Sequence, residues 1–244
     1  MNNNHKMGCN ESRQKPSEEK AIALAESGLG FSLTEATKFD MVVRKNSKNN
    51  MVNSPLLQRI ATALKLKTSD YVNHIKISAY YNKLKDESGE IPAKDLLIIG
   101  ILLSLGLPST KARLLFQIFD EDATERLTTD QLRDDMFKLM VKHSIGLGFL
   151  VANGHNPYSN EIKIAVFTEN LRSVETEAIN RLIGKLDPRG NNYVQEADFI
   201  SAFVKMSDGS LTTAAGWRTY LHEIFLSAPP KPAFKNPFLN RAKK

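Results

Sequence analysis

The chain has 244 residues, of which 41% are apolar, a net charge of +6 and a pI near 9.3. That length suits one sizeable domain or two small ones with a packed core. A single cysteine, Cys9, excludes an internal disulfide framework and a Cys-rich zinc centre, and it suits a reducing, cytoplasmic setting.

The first segment, 1–19, is polar and reads as flexible. It has no apolar stretch of the kind a secretory signal needs. Met7-Gly8-Cys9-Asn10-Glu11-Ser12 matches the N-myristoylation pattern, with Cys9 placed for palmitoylation. This works only if translation starts at Met7, and Gly8 and Cys9 would then anchor the chain to a membrane. From about residue 20 to 226 the apolar spacing is helical, with short breaks. The longest apolar run, Leu96 to Leu107, is a buried core helix, since a membrane span needs about 20 residues. Around 160–167, Ile162, Ile164 and Val166 alternate, so a strand and a helix both remain open there.

Basic residues are unevenly spread. Residues 41–85 hold nine Lys and Arg against Asp70, and 228–244 holds Lys231, Lys235, Arg241, Lys243 and Lys244 with no acid. Such patches favour an acidic partner. No nucleic-acid module accompanies them, so no specific nucleic-acid partner is expected.

A helix–acidic loop–helix pattern occupies 111–140, KARLLFQIFDEDATERLTTDQLRDDMFKLM. A calcium loop of twelve residues places oxygen ligands at positions 1, 3, 5, 7, 9 and 12. Counted from Asp120 these are Asp120, Asp122, Thr124, Arg126 through its carbonyl, Thr128 and Gln131, with Leu127 at the apolar position 8. Glu125 stands at position 6, where glycine normally permits the turn, and Gln131 replaces the bidentate glutamate. Taking position 8 as anchor, the loop recurs. A first copy starts at Lys45 with Val52 at position 8, a second at Leu84 with Ile91, and a fourth at Asp187 with Val194. The starts are 39, 36 and 67 residues apart, so an insertion is expected near 144–170. Paired loops place Val52 against Ile91 and Leu127 against Val194.

Four such loops in two pairs resemble the calcineurin B, neuronal calcium sensor and calaxin group of the EF-hand superfamily. The resemblance runs from Leu33 to Met206. It implies an all-α fold of two lobes, 20–107 and 108–226, each a pair of helix–loop–helix hands, followed by a Pro/Lys-rich tail over 227–244. The ligand chemistry is degraded. The first loop has no carboxylate and opens with Lys45. The second opens with Leu84, has Pro92 at position 9 and ends with Asp95. The fourth carries Arg189 at position 3. The third keeps Asp120 and Asp122 but loses the bidentate carboxylate, so the cofactor is either none or weakly bound calcium.

The segment 211–226 reads as an amphipathic helix with Trp217, Leu221, Ile224 and Phe225 on one face. In the resembled group such a helix folds back on the groove or meets a partner. Trp217, Leu221 and Phe225, with Phe234 and Phe238 of the tail, are therefore candidates for partner binding. Enzyme motifs are missing: the five histidines lack metal spacing, and there is no P-loop, dinucleotide fingerprint or nucleophile elbow. The expected function is a non-enzymatic, largely calcium-independent adaptor. Its partner would be a protein helix or extended segment, in a cytoskeletal or ciliary setting implied by the resemblance alone. The alternatives are a calcium sensor switching through the third loop, with Phe116, Met136 and Met140 lining its groove, and a lipid-anchored regulator.

Overall fold

The computed structural model describes residues 16–68, 71–72, 75–152 and 161–228. Gly8, Cys9, Phe234 and Phe238 lie outside them. The fold is all-α. The helices are α1 (Ser17–Gly28), α2 (Ala36–Asn46), α3 (Ser54–Leu64), α4 (Ile77–Leu84), α5 (Ala93–Leu103), α6 (Pro108–Gln117), α7 (Lys138–Ala152), α8 (Glu161–Arg172), α9 (Glu175–Leu186), α10 (Glu196–Lys205) and α11 (Ala214–Ser227). A π-helical stretch, Gln131–Phe137, leads into α7.

Short strands staple the helices into pairs. β1 (Met51–Val52) lies antiparallel to β4 (Ile91–Pro92), with Val52 opposite Ile91. β5 (Arg126–Thr128) lies antiparallel to β6 (Tyr193–Gln195), with Leu127 opposite Val194. All four side chains are buried. A further hairpin, β2 (Tyr71–Val72) with β3 (Ile75–Lys76), lies between β1 and β4 in sequence. α9 is a representative element: Ile179, Leu182, Ile183 and Leu186 repeat at helical spacing and all are buried, so one face is driven into the core.

Residues 160–167, open between strand and helix on sequence grounds, belong to α8 from Glu161 onward. Together with the length of α7, α8 accounts for the long spacing between the third and fourth loops. One continuous hydrophobic core spans both pairs. At its centre α2 and α5 approach to backbone distance, because the Phe39 ring occupies the place of a side chain at Gly100.

The two ends of the helical body are joined by a buried ion cluster. Arg218 of α11 is fully buried and uses all five of its N–H donors. Nε and Nη2 donate to Glu19 at 2.7 and 2.8 Å, Nη1 and Nη2 to Glu26 at 2.5 and 2.9 Å, and Nη1 to the Ser144 carbonyl at 2.7 Å. Burial pushes the Glu26 carboxyl up, outweighing the pull of Arg218. Removing one partner from such a cluster leaves charge without compensation in a dry site. Arg218→Met should therefore cost about 3–5 kcal/mol at neutral pH. The deficit should shrink in acid as Glu26 takes up a proton, which urea denaturation at pH 7 and pH 5 would measure.

A second buried cation ends α5. Lys111 Nζ donates to the carbonyls of Leu102 and Ser104 at 3.2 and 3.0 Å, capping a helix C-terminus where positive charge is favourable. Burial pushes its ammonium down to about 8. Above that pH the folded chain has released a proton that the unfolded chain still holds. Stability therefore gains with rising pH from about 8 until the ordinary lysine range near 10.4. Lys111→Met should abolish that gain, read as the difference between the two proteins' denaturation free energies across the window.

Candidate functional site

The four twelve-residue loops share one backbone design. Position 6 has a positive φ in every one: Asn50 at 52–59° with its neighbour Asn49, Gly89 at 81°, Glu125 at 57° and Asn192 at 65°. The position-6 carbonyl then reaches across to the position-10 amide of the paired loop. Ala93 N donates to Asn50 O at 2.8 Å, Glu196 N to Glu125 O at 3.0 Å, and Thr129 N to Asn192 O at 3.1 Å. Position 9 caps the outgoing helix in two of them: Asn53 Oδ1 accepts from Leu56 N, and Thr128 Oγ1 accepts from Gln131 N. This is N-capping chemistry and requires no metal.

The third loop gathers its oxygens about Thr124. The Thr124 hydroxyl lies 3.4 Å from Asp120 Oδ1, 3.0 Å from Asp122 Oδ1 and 3.5 Å from the Arg126 carbonyl. Positions 1, 3, 5 and 7 thus converge as expected from their spacing. The carboxylates are nevertheless engaged by the loop itself. Asp120 accepts from the amides of Thr124 and Glu125, both at 3.0 Å. The Thr124 hydroxyl holds the Asp122 carboxyl below its ordinary value. Gln131 Oε1 turns to the Thr128 amide and hydroxyl, at 2.9 and 3.0 Å, in a reciprocal capping box. That leaves a half-ring of oxygens with the far side closed on itself.

The other loops use their ligand positions differently. Asp187 accepts from Asn191 N and Asn192 N, both at 2.8 Å, the same loop-closing role as Asp120. Asp86 accepts from Ser88 and Glu90 amides. Asp95, the last position of the second loop, points away to α7. It lies 3.1 Å from Lys142 Nζ and 2.8 Å from His143 Nε2. Burial pushes the Asp95 carboxyl up, but hydrogen bonding and charge from His143 and Lys142 outweigh that and hold it below its ordinary value. Among the described residues no cluster of three or more His, Cys, Asp or Glu side chains forms a metal centre.

The apolar residues expected to meet a partner are internal. Trp217 and Leu221 are fully buried, and Phe225 is half-buried. Trp217 ends an aromatic array in which Phe116 meets Phe199 at 5.4 Å, Phe199 stacks on Phe203 at 4.7 Å, and Phe137 meets Trp217 at 5.7 Å. α11 therefore lies in the C-terminal pair as one of its own core helices. Phe116, Met136 and Met140 are fully covered, so they line no open groove. Sequence reading also missed Glu19, Glu26 and Arg218. The available signal was that Glu19, Ile22, Glu26 and Leu29 fall on one helical face, placing acids within an apolar stripe.

Two of the clefts among the described residues are open and lined by mixed polar and apolar groups. One of about 430 Å³ lies beside the third loop, where Arg44, Lys94, Asp120 and Glu121 mix both signs and Lys94 is paired with Glu121 at 2.9 Å. A small-molecule site is ordinarily more apolar and enclosed. No helix of the described residues is long and apolar enough to cross a membrane. No protein-family model, curated protein or solved structure matches this chain.

Glu125 carries backbone strain that glycine would relieve, since a left-handed conformation costs an ordinary residue about 1–2 kcal/mol. Part of that gain is offset by the greater freedom of glycine in the unfolded chain. Glu125→Gly should raise stability by about 0.5–1 kcal/mol and Glu125→Val should lower it, as denaturant midpoints would report.

Proposed function

We propose that this protein is a non-enzymatic adaptor built on four degenerate EF-hand-like loops, largely independent of calcium, that holds a partner protein. The reading is carried by the fate of the ligand positions. Gln131 is folded back on Thr128, Asp95 is committed to Lys142 and His143, and Lys45 and Arg189 bring cations to positions 1 and 3. The stapling contacts, Val52 with Ile91 and Leu127 with Val194, join apolar side chains and do not depend on an ion. Two of the residues first assigned to the partner, Trp217 and Leu221, are occupied inside the molecule, so the partner is held elsewhere. A cytoskeletal or ciliary assembly is the setting implied by the resemblance to the calaxin group.

One observation favours a second reading. The oxygens of Asp120, Asp122, Thr124 and Arg126 already converge, which is half of a calcium cage. A sensor mechanism through this loop would have to move α11 as well, because Trp217 and Met140 share the same core. Membrane anchoring through Gly8 and Cys9 stays conditional on a start at Met7.

Calorimetric titration separates the two readings. The adaptor should show no calcium site tighter than about 10⁻⁴ M, and Gln131→Glu, which restores a bidentate ligand, should tighten binding by about ten-fold or more. Micromolar binding by the unaltered chain, with a change in Trp217 emission, would establish the sensor instead.

A further inference from the structure

Two extended segments lie side by side at the entrance to α2. Residues Glu35 and Leu105 form a parallel bridge, with Ala36 N donating to Leu105 O at 2.8 Å and Leu105 N to Thr34 O at 2.9 Å. Leu33 closes a 3-10 turn just before this bridge, and Leu105 and Leu107 stand two residues apart on the other segment. Thr34, Ala36 and Ser104 are buried, while Leu33, Leu105 and Leu107 are 76%, 51% and 71% exposed. Met41, on the outer face of α2, is 61% exposed. Scattered single apolar side chains need no explanation, but a cluster of this kind marks a contact surface.

Lys38 lies one helical turn beyond Glu35, the residue bridged to Leu105. Lys38, Met41 and Lys45 fall at i, i+3 and i+7 and share one face of α2, and all three are exposed. Residues 36–67 carry seven Lys and Arg against one acid, Asp40, which is itself paired with Arg44 at 2.8 Å. Lys38, Lys45 and Lys48 make no ion pair among the described residues.

We propose that this surface docks an acidic amphipathic segment of a partner protein. Apolar residues of the segment would cover Leu33, Leu105, Leu107 and Met41, and its carboxylates would meet Lys38 and Lys45. The proposal rests on the adaptor reading and names its partner class. Charge complementarity selects the occupant. A second copy would bring the same cationic unit to the contact, and the chain's own tail, 228–244, has five cations and no acid; like charges would repel both. Glu35 projects on the same face as the leucines, next to Leu105. An anionic lipid surface offers it only repulsion, whereas a protein segment can supply a donor.

The test uses the full chain and two fluorescent peptides of about 18 residues, five helical turns, with leucines at the same helical spacing. One has glutamate at the remaining positions except for a single lysine to meet Glu35, and the other has lysine throughout them. Anisotropy is measured in the presence of chelator, with sedimentation on phosphatidylserine vesicles in parallel. The glutamate peptide should bind, more weakly as salt rises from about 50 to about 300 mM, and the lysine peptide should not. Leu105→Ser with Leu107→Ser, and separately Lys38→Glu with Lys45→Glu, should each weaken binding by about ten-fold or more, equivalent to about 1.4 kcal/mol, with far-ultraviolet circular dichroism unchanged. These are exposed positions, so the variants should fold. Equal binding of both peptides, full affinity in either variant, vesicle binding without peptide binding, or a dimer dissolved by the leucine changes would each overturn the proposal. Chelator keeps the outcome separate from the calcium titration, so failure here removes the docking surface and leaves the metal-independence reading to its own test.

Discussion

Arg218 and its two glutamates are the constraint on which the arrangement of the helices depends. A guanidinium is always charged and has five donors in a fixed plane. Burying it completely would be prohibitive unless every donor were met. Here Glu19, Glu26 and the Ser144 carbonyl meet them all. The geometry fixes α1, α7 and α11 relative to one another more specifically than apolar packing does, because leucines can slide and a five-fold donor pattern cannot.

Once α11 is held there, the C-terminal pair has no vacancy. Trp217 extends the aromatic stack, and Met136 and Met140 are fully buried in the same core. In two of the loops the position-1 aspartates, Asp120 and Asp187, close the turn by accepting backbone amides, a task such residues perform with or without an ion. Asp95 acts over a longer range: its carboxylate bridges the two pairs through Lys142 and His143. These carboxylates are spent on closing turns and on fastening helix to helix.

What the sequence disclosed follows from range. The loop spacing, the apolar residue at position 8 and the helical periodicity are properties of a dozen neighbouring residues, so Val52 could be matched to Ile91 and Leu127 to Val194 before any coordinates. The oxygen positions of the third loop were equally legible. The ion cluster was not, since Glu19 and Arg218 are 199 residues apart and nothing local to either names the other. Trp217 misled for a related reason: an amphipathic face has the same pattern whether it covers its own core or another protein's. Asp95 was read as a vestigial ligand because its loop position is visible and its partner on α7 is not. The exposed leucines escaped notice because Leu105 and Leu107 end what reads as a core helix.

The clasp between α1 and α11 also orders events in time. Translation delivers α1 well before α11, and loop closure over so long a stretch is slow compared with local helix formation. Until α11 is released from the ribosome, two acids on the apolar face of α1 have no counter-charge and the aromatic floor of the C-terminal pair is uncovered. The nascent chain is thus compact in its stapled loops yet unfinished at both ends. Chaperones would have the most to protect in that interval, and a ribosome that stops before codon 218 would leave a product marked for disposal by the very surfaces the finished molecule hides.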